Sequence, residues 1–115
     1  MQRVLFHGTG ARRRQSISKR GLLPKLGSYV YGTYHIDVAI VFATARAELE
    51  DDWGLLVTFG ADGDWEIDPL FPHSLRSPQD VAPNNILSMR IVDPQEELGA
   101  NAWLKDMVAK ITLAK

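Results

Sequence analysis

The sequence predicts an α+β fold, on three observations. Short β-type runs and helical stretches are interleaved without the strict β-α alternation of a doubly wound parallel sheet. An Asp-Gly pair at 62–63 lies between apolar runs and predicts an antiparallel hairpin. The chain has 115 residues, 45% of them hydrophobic and 23% charged, which suits a single domain spanning 1–115. A chain of this size buries roughly two thirds of its unfolded surface, enough to fold without disulfides or a structural metal. Five or six short strands are expected, with helices packed outside them.

Residues 2–8 read as a strand ending at the turn Gly8-Thr9-Gly10. Residues 11–20 read as a surface helix whose only large apolar residue is Ile17, with Gly21 placed to cap it and Pro24 beyond. The Tyr, Val and Thr of 29–33 predict a second strand. Asp37 is the expected N-cap of a helix to about Leu49, with Val38, Val41, Phe42, Ala45 and Leu49 on a core-facing stripe. Residues 54–60 read as a buried strand, 61–64 as a hairpin turn and 65–68 as the return strand. Residues 69–85 hold four of the six prolines and read as a long irregular loop. A strand at 86–92 follows. A last helix begins at the capping sequence Asp93-Pro94-Gln95-Glu96 and runs to about Ile111, with Leu104, Met107, Val108 and Ile111 as its apolar stripe and Trp103 beside it.

Composition excludes several chemistries. The chain has no cysteine, so it has no disulfide framework, thiol nucleophile or cysteine-ligated zinc. Its histidines, His7, His35 and His73, are too widely spaced for a metal-ligand pattern, and no metal is expected. There is no Gly-x-Ser-x-Gly elbow, Walker-type loop or Gly-x-Gly-x-x-Gly. The first apolar run is too short for a signal peptide, and none approaches the ~20 residues of a membrane span. A cytoplasmic location without membrane attachment is therefore expected. The net charge of −1 hides a polarity: residues 1–36 carry seven basic residues and no acid, and 37–115 carry six basic residues and all fourteen acids. A basic N-terminal part suits phosphates or an acidic partner, or forms a solvated helix face.

The residues able to do chemistry form an ordered set. His7 ends a strand, where its ring can donate a fixed hydrogen bond to a ribose hydroxyl. Gly8 leaves the backbone open to a planar carboxamide. Tyr29 and Tyr31 are two apart on a strand and share a face, so one ring can stack on a flat heterocycle. Gly32 leaves room beside them. Glu66 and Asp68 also share a face, and either carboxylate can stabilise the positive charge that develops as a glycosidic bond breaks. Two acids side by side on one strand do not form the facing pair of a sugar glycosidase.

In order, His7-Gly8-Thr9, Tyr29-Val30-Tyr31-Gly32-Thr33, Asp37-Val38-Ala39, Asp68-Pro69 and Ser74-Leu75-Arg76-Ser77 resemble the ADP-ribosyltransferase superfamily. The pattern is most similar to the small rifamycin ADP-ribosyltransferases and their His-Tyr-Asp set. The resemblance implies two small sheets split around an NAD cleft, with His7, Tyr31 and Asp68 as the catalytic set. It implies that His7 bonds a ribose hydroxyl, Gly8 reads the nicotinamide carboxamide, Tyr31 stacks on the ring and Asp68 holds the 2′-hydroxyl. His7, Gly8, Thr9, Tyr29, Tyr31 and Arg76 are the expected NAD contacts. Nothing here matches the segments that would enclose a rifamycin-type drug, so the acceptor is left open among a protein, a nucleic acid and a small molecule. Two other readings accompany this one. The basic segment 12–25 suits a non-catalytic module that binds nucleic acid or an acidic partner. The stretch Ile17-Ser18-Lys19-Arg20-Gly21-Leu22-Leu23-Pro24 resembles tRNA 2′-phosphotransferases, whose chemistry needs phosphate ligands such as Arg12 or Arg76 near the cleft.

Overall fold

A computed structural model describes residues 2–24 and 28–100, the last two by backbone alone. Strand β1 (Arg3–Gly10) leads through a 3₁₀ turn (Ala11–Arg13) into α1 (Arg14–Arg20). There follow β2 (Val30–Gly32), α2 (Ile36–Glu50), β3 (Gly54–Ala61), β4 (Glu66–Ile67) and β5 (Leu75–Ser77). A second 3₁₀ turn (Pro83–Asn85), β6 (Ile86–Val92) and α3 (Pro94–Ala100) complete the described chain. The architecture is α+β, with two small antiparallel sheets ordered β1-β3-β6 and β2-β5-β4. Most of the last helix, including Trp103 and the stripe from Leu104 to Ile111, lies outside the described residues, as does Lys25.

β3 lies between β1 and β6 and is buried along nearly its whole length, which accounts for its continuous apolar run. That position also overturns the expected hairpin at Asp62-Gly63. Both edges of β3 are occupied, so the chain beyond it has no edge to return along. Gly63 turns with a left-handed φ of 77°, Trp65 Nε1 donates to the Asp62 carbonyl at 3.0 Å, and the chain crosses to the second sheet. There β4 pairs with β5, Glu66 opposite Arg76 and Ile67 opposite Leu75. The expected irregular loop at 69–85 therefore contains the central strand of the second sheet. Leu75-Arg76-Ser77 is too short and mixed to show a period, and its pairing comes from β2 and β4 rather than from local pattern. Further along, Val81 forms a bridge with Leu22.

The sheets meet at one junction. Phe6 N–H donates to the Thr33 carbonyl at 2.8 Å, and Thr33 N–H donates to the Phe6 carbonyl at 2.9 Å. The second sheet thereby hangs from the edge of the first. Between them lies the main core, with Leu5, Leu55, Val57 and Phe59 on one side, Val30 and Leu75 on the other, and Ile17 of α1 against it. Gly32 belongs to this packing: a Cβ there would lie 2.9 Å from Phe59 and 3.1 Å from Leu5. Its missing side chain makes room for the core, not for a ligand as the sequence suggested.

α2 covers the opposite face of the first sheet, against Phe6, Leu56 and Val92. It begins at Ile36, with His35 as N-cap, so Asp37 sits inside the first turn rather than capping it. An acid there still complements the positive end of the helix dipole. Val41 and Ala45 of the expected stripe are buried, as are the small residues Ala39, Ala43 and Ala47, while Leu49 is exposed. The expected stripe gave weight to large residues, but the sheet selects small ones because it lies so close. A Cβ on Gly8 would fall 2.0 Å from the Ala39 carbonyl oxygen, and one on Gly54 2.6 Å from that of Ala43.

Gly8→Ala therefore cannot be absorbed without lifting α2, and overpacking against backbone predicts a loss of at least about 2 kcal/mol in a urea melt. Gly60→Ala is the contrast. The three atoms nearest its Cβ would all belong to the exposed Gln2 side chain, which can swing aside, and the expected loss is under about 1 kcal/mol. Equal effects from the two substitutions would contradict this packing.

Candidate functional site

Alternation along β1 sends Phe6 toward α2 and His7 to the face shared with Leu5, beside the second sheet. In that sheet Tyr31 pairs with Arg76, and Arg76 with Glu66, so the three side chains form one cross-strand row. Asp68 follows in the next row, where its N–H donates to the Ser74 carbonyl at 2.9 Å. These placements converge on a cavity of 480 Å³ between β1, β2, α2 and the 68–74 loop. That volume falls within the usual range for small-molecule sites. His7, Gly8, Thr9, Tyr29, Tyr31 and Asp68 all line it. Of the residues expected to contact NAD or to stabilise the developing charge, Arg76 and Glu66 do not.

His7 is tied to the second sheet. Its Nδ1 lies 2.8 Å from the Tyr31 carbonyl oxygen, and because a carbonyl can only accept, Nδ1 carries the proton. Burial lowers the His7 pKa below its ordinary 6.5; the bond to Tyr31 opposes that shift, and the charges of Arg13 and Arg46 add to it. The ring is therefore neutral near pH 7 and presents Nε2 as a hydrogen-bond acceptor. The sequence suggested a donor at this position. The Tyr31 carbonyl reverses that role by fixing the tautomer, and a ribose hydroxyl would donate to His7.

Gly8 serves both sides of β1. Phe6 turns both its backbone groups outward to Thr33, and by antiparallel alternation Gly8, two residues on, turns its N–H and C=O outward on the same edge. Among the described residues nothing outside the sheet bonds them. A donor and an acceptor side by side on one edge match a carboxamide. The helix accounts for the glycine itself, and the strand's hydrogen-bond pattern accounts for its open backbone groups.

The remaining wall is aromatic and apolar. Tyr29 and Tyr31 meet edge to face with ring centroids 6.4 Å apart, and Tyr31 stays 37% exposed, leaving ring surface free to stack. Phe42 of α2 meets Phe71 of the 68–74 loop edge to face at 5.7 Å. Behind Tyr29 lies Arg76, its guanidinium carbon 4.1 Å from the ring centroid and its Nε 2.6 Å from Glu66 Oε1. Arg76 thus braces the tyrosine wall from outside the cavity.

The two acids that sequence left as rivals are separated here. Glu66 is exposed and engaged with Arg76. Asp68 is 4% exposed, and its Oδ1 accepts the Leu70 N–H at 3.0 Å, while its other oxygen makes no bond to a described residue. Asp68 is the carboxylate that the cavity holds. Two cations that sequence reasoning missed also line it, Arg13 after β1 and Arg46 on α2. The spacing of Ala39, Phe42 and Arg46 on one helical face is the signal that could have found the second.

The basic N-terminal segment is partly neutralised by the chain's own acids. Arg12 Nη2 donates to the Glu50 carbonyl at 3.0 Å and its Nε lies 3.9 Å from Asp52, while Arg13 lies 3.5 Å from Glu50. Arg12 does not line the cavity, so neither of the phosphate ligands named for a 2′-phosphotransferase reaches it. No protein-family model matches the chain, and no curated protein or solved structure gives a match.

A lowered His7 pKa has a defined linkage. Above pH 6.5 the ring is neutral folded or unfolded; below it the unfolded chain takes up the proton first, so acidification removes stability. Imidazole NMR is expected to find His7 as the Nδ1–H tautomer at pH 7, titrating below 6.5. A midpoint above 6.5, or an Nε2–H tautomer, would contradict the geometry.

Proposed function

We propose that the chain is an NAD-dependent ADP-ribosyltransferase, which breaks the bond between nicotinamide and ribose and passes ADP-ribose to an acceptor. One observation carries this reading: His7, Tyr31 and Asp68, drawn from three separate segments, line the same cavity. In the proposed complex Gly8 pairs with the carboxamide, and Tyr31 stacks on the nicotinamide ring. His7 Nε2 accepts from a ribose hydroxyl.

The reaction then needs one charge from the protein. The C1′–N bond breaks with its electron pair leaving on nicotinamide, and positive charge develops on the ribose. Asp68, buried and fixed by the Leu70 N–H, is placed to bind the 2′-hydroxyl and stabilise that charge. A nucleophile of the acceptor then bonds C1′ and gives up its proton to solvent. Two split sheets flanking the cleft agree with the architecture this superfamily resemblance implies.

Nicotinamide release from NAD, with and without candidate acceptors, tests the reading. Asp68→Asn is expected to lower turnover by about 10²–10³-fold, the usual cost of removing a preorganised electrostatic group. Glu66→Gln should keep most of it. Full turnover in Asp68→Asn, or a larger loss in Glu66→Gln, would overturn the assignment.

A further inference from the structure

We propose that two copies of the chain associate edge to edge through β6, which joins their first sheets into one. The sheet order supplies the surface. β6 is an outer strand of β1-β3-β6, seven residues long, with no proline and a single charged residue, Arg90. Such an edge is ready to pair, and proteins commonly block one with proline, lysine or a covering element. The opposite edge of this sheet is already taken where Phe6 of β1 bonds Thr33. No backbone group of another described segment bonds the outer edge of β6. Leu87 is 56% exposed there, and Ser88 and Arg90 are exposed beside it.

The register fixes which backbone groups point outward. Phe6 turns its N–H and C=O away from β3, so its partner Thr58 turns toward β6, and antiparallel alternation does the same for Leu56 and Gly54. Their partners on β6, Ser88, Arg90 and Val92, therefore bond inward. Met89 and Ile91 turn both backbone groups outward. Leu87 turns its C=O outward, because the Ser88 N–H of the same peptide unit points in. The bulge opposite Thr58 and Phe59 lies at the start of β6 and leaves 88–92 regular.

The strand is close to its own reverse about Met89, and this selects a second copy as the partner. With a two-fold axis at Met89, each Met89 N–H donates to the Met89 C=O of the other copy. Each Ile91 N–H donates to the Leu87 C=O of the other copy. Leu87 then lies opposite Ile91 and Arg90 opposite Ser88, so apolar residues meet and like charges do not. An axis at Arg90 makes as many bonds but sets the two arginines directly opposite each other, which is destabilising. The cavity borders β1, at the far edge of the sheet from β6. Association therefore leaves the cavity open, and the inference stands apart from the NAD reading.

Sedimentation equilibrium and amide hydrogen exchange on the full chain test this. A monomer–dimer equilibrium is expected. The Met89 and Ile91 amides should be protected in concentrated protein and exchange quickly on dilution, while the inward Arg90 amide stays protected in both. Ser88→Lys sets a cation opposite Arg90 of the other copy, at an exposed position, and should raise the dissociation constant roughly threefold to thirtyfold. Ser88→Glu sets an anion there and should lower it by a similar factor. A monomer at every concentration, which would leave the edge to a strand of another protein, would overturn the proposal. So would a dimer with Met89 and Ile91 amides unprotected, or equal effects from the two Ser88 variants.

Discussion

The cavity depends on a pair of backbone hydrogen bonds between Phe6 and Thr33, at 2.8 and 2.9 Å. Each sheet has only three strands, and this bridge joins their edges. Side chains reinforce it. His7 donates to the Tyr31 carbonyl, Thr33 Oγ1 donates to the His73 carbonyl at 2.7 Å, and the same oxygen accepts the His35 N–H at 3.1 Å. One threonine thus ties together β1, the end of β2, the start of α2 and the loop that carries Asp68. Three segments far apart in sequence are held in one register, and the proposed chemistry needs that register because a catalytic group misplaced by an ångström loses much of its effect.

A second constraint acts from the other face. α2 lies so close to β1 and β3 that Gly8 and Gly54 admit no side chain. The close approach brings Ala39, Phe42 and Arg46 to the cavity and lets a single helix supply both an apolar wall and a cation. It also separates the two requirements placed on Gly8. Its absent side chain serves the helix, and its outward N–H and C=O are available to a ligand. A substitution there would disturb fold and site together, so loss of activity in a Gly8 variant says little about binding. His7, Tyr31 and Asp68 are the informative positions.

Local periodicity gave the α+β class, both long strands of the first sheet beyond β1, and the approximate span of α2. The order of the short motifs, and the superfamily they resemble, grouped His7, Tyr31 and an acid as one candidate site, and the three line one cavity. What local pattern missed depends on contacts across the chain. The Asp62-Gly63 turn looks like a hairpin from its own residues, and only the occupied edges of β3 forbid one. Glu66 and Asp68 have the same alternation, and they are separated by Arg76 on one and the Leu70 N–H on the other. A strand of three mixed residues, β5, has no period to read. The basic run at 12–14 gives no sign that Arg12 turns to Asp52 and Glu50 while Arg13 borders the cavity.

The proposed function requires that one cavity hold nicotinamide against Tyr31, between Gly8 and Asp68. Intermolecular nuclear Overhauser effects between NAD and the folded chain test it most directly. Nicotinamide bound in this pose should give contacts from its ring protons to the Tyr31 ring and to the Gly8 α-protons. Binding whose contacts fall on another face of the molecule, or a nicotinamide ring with no contact to Tyr31, would contradict it.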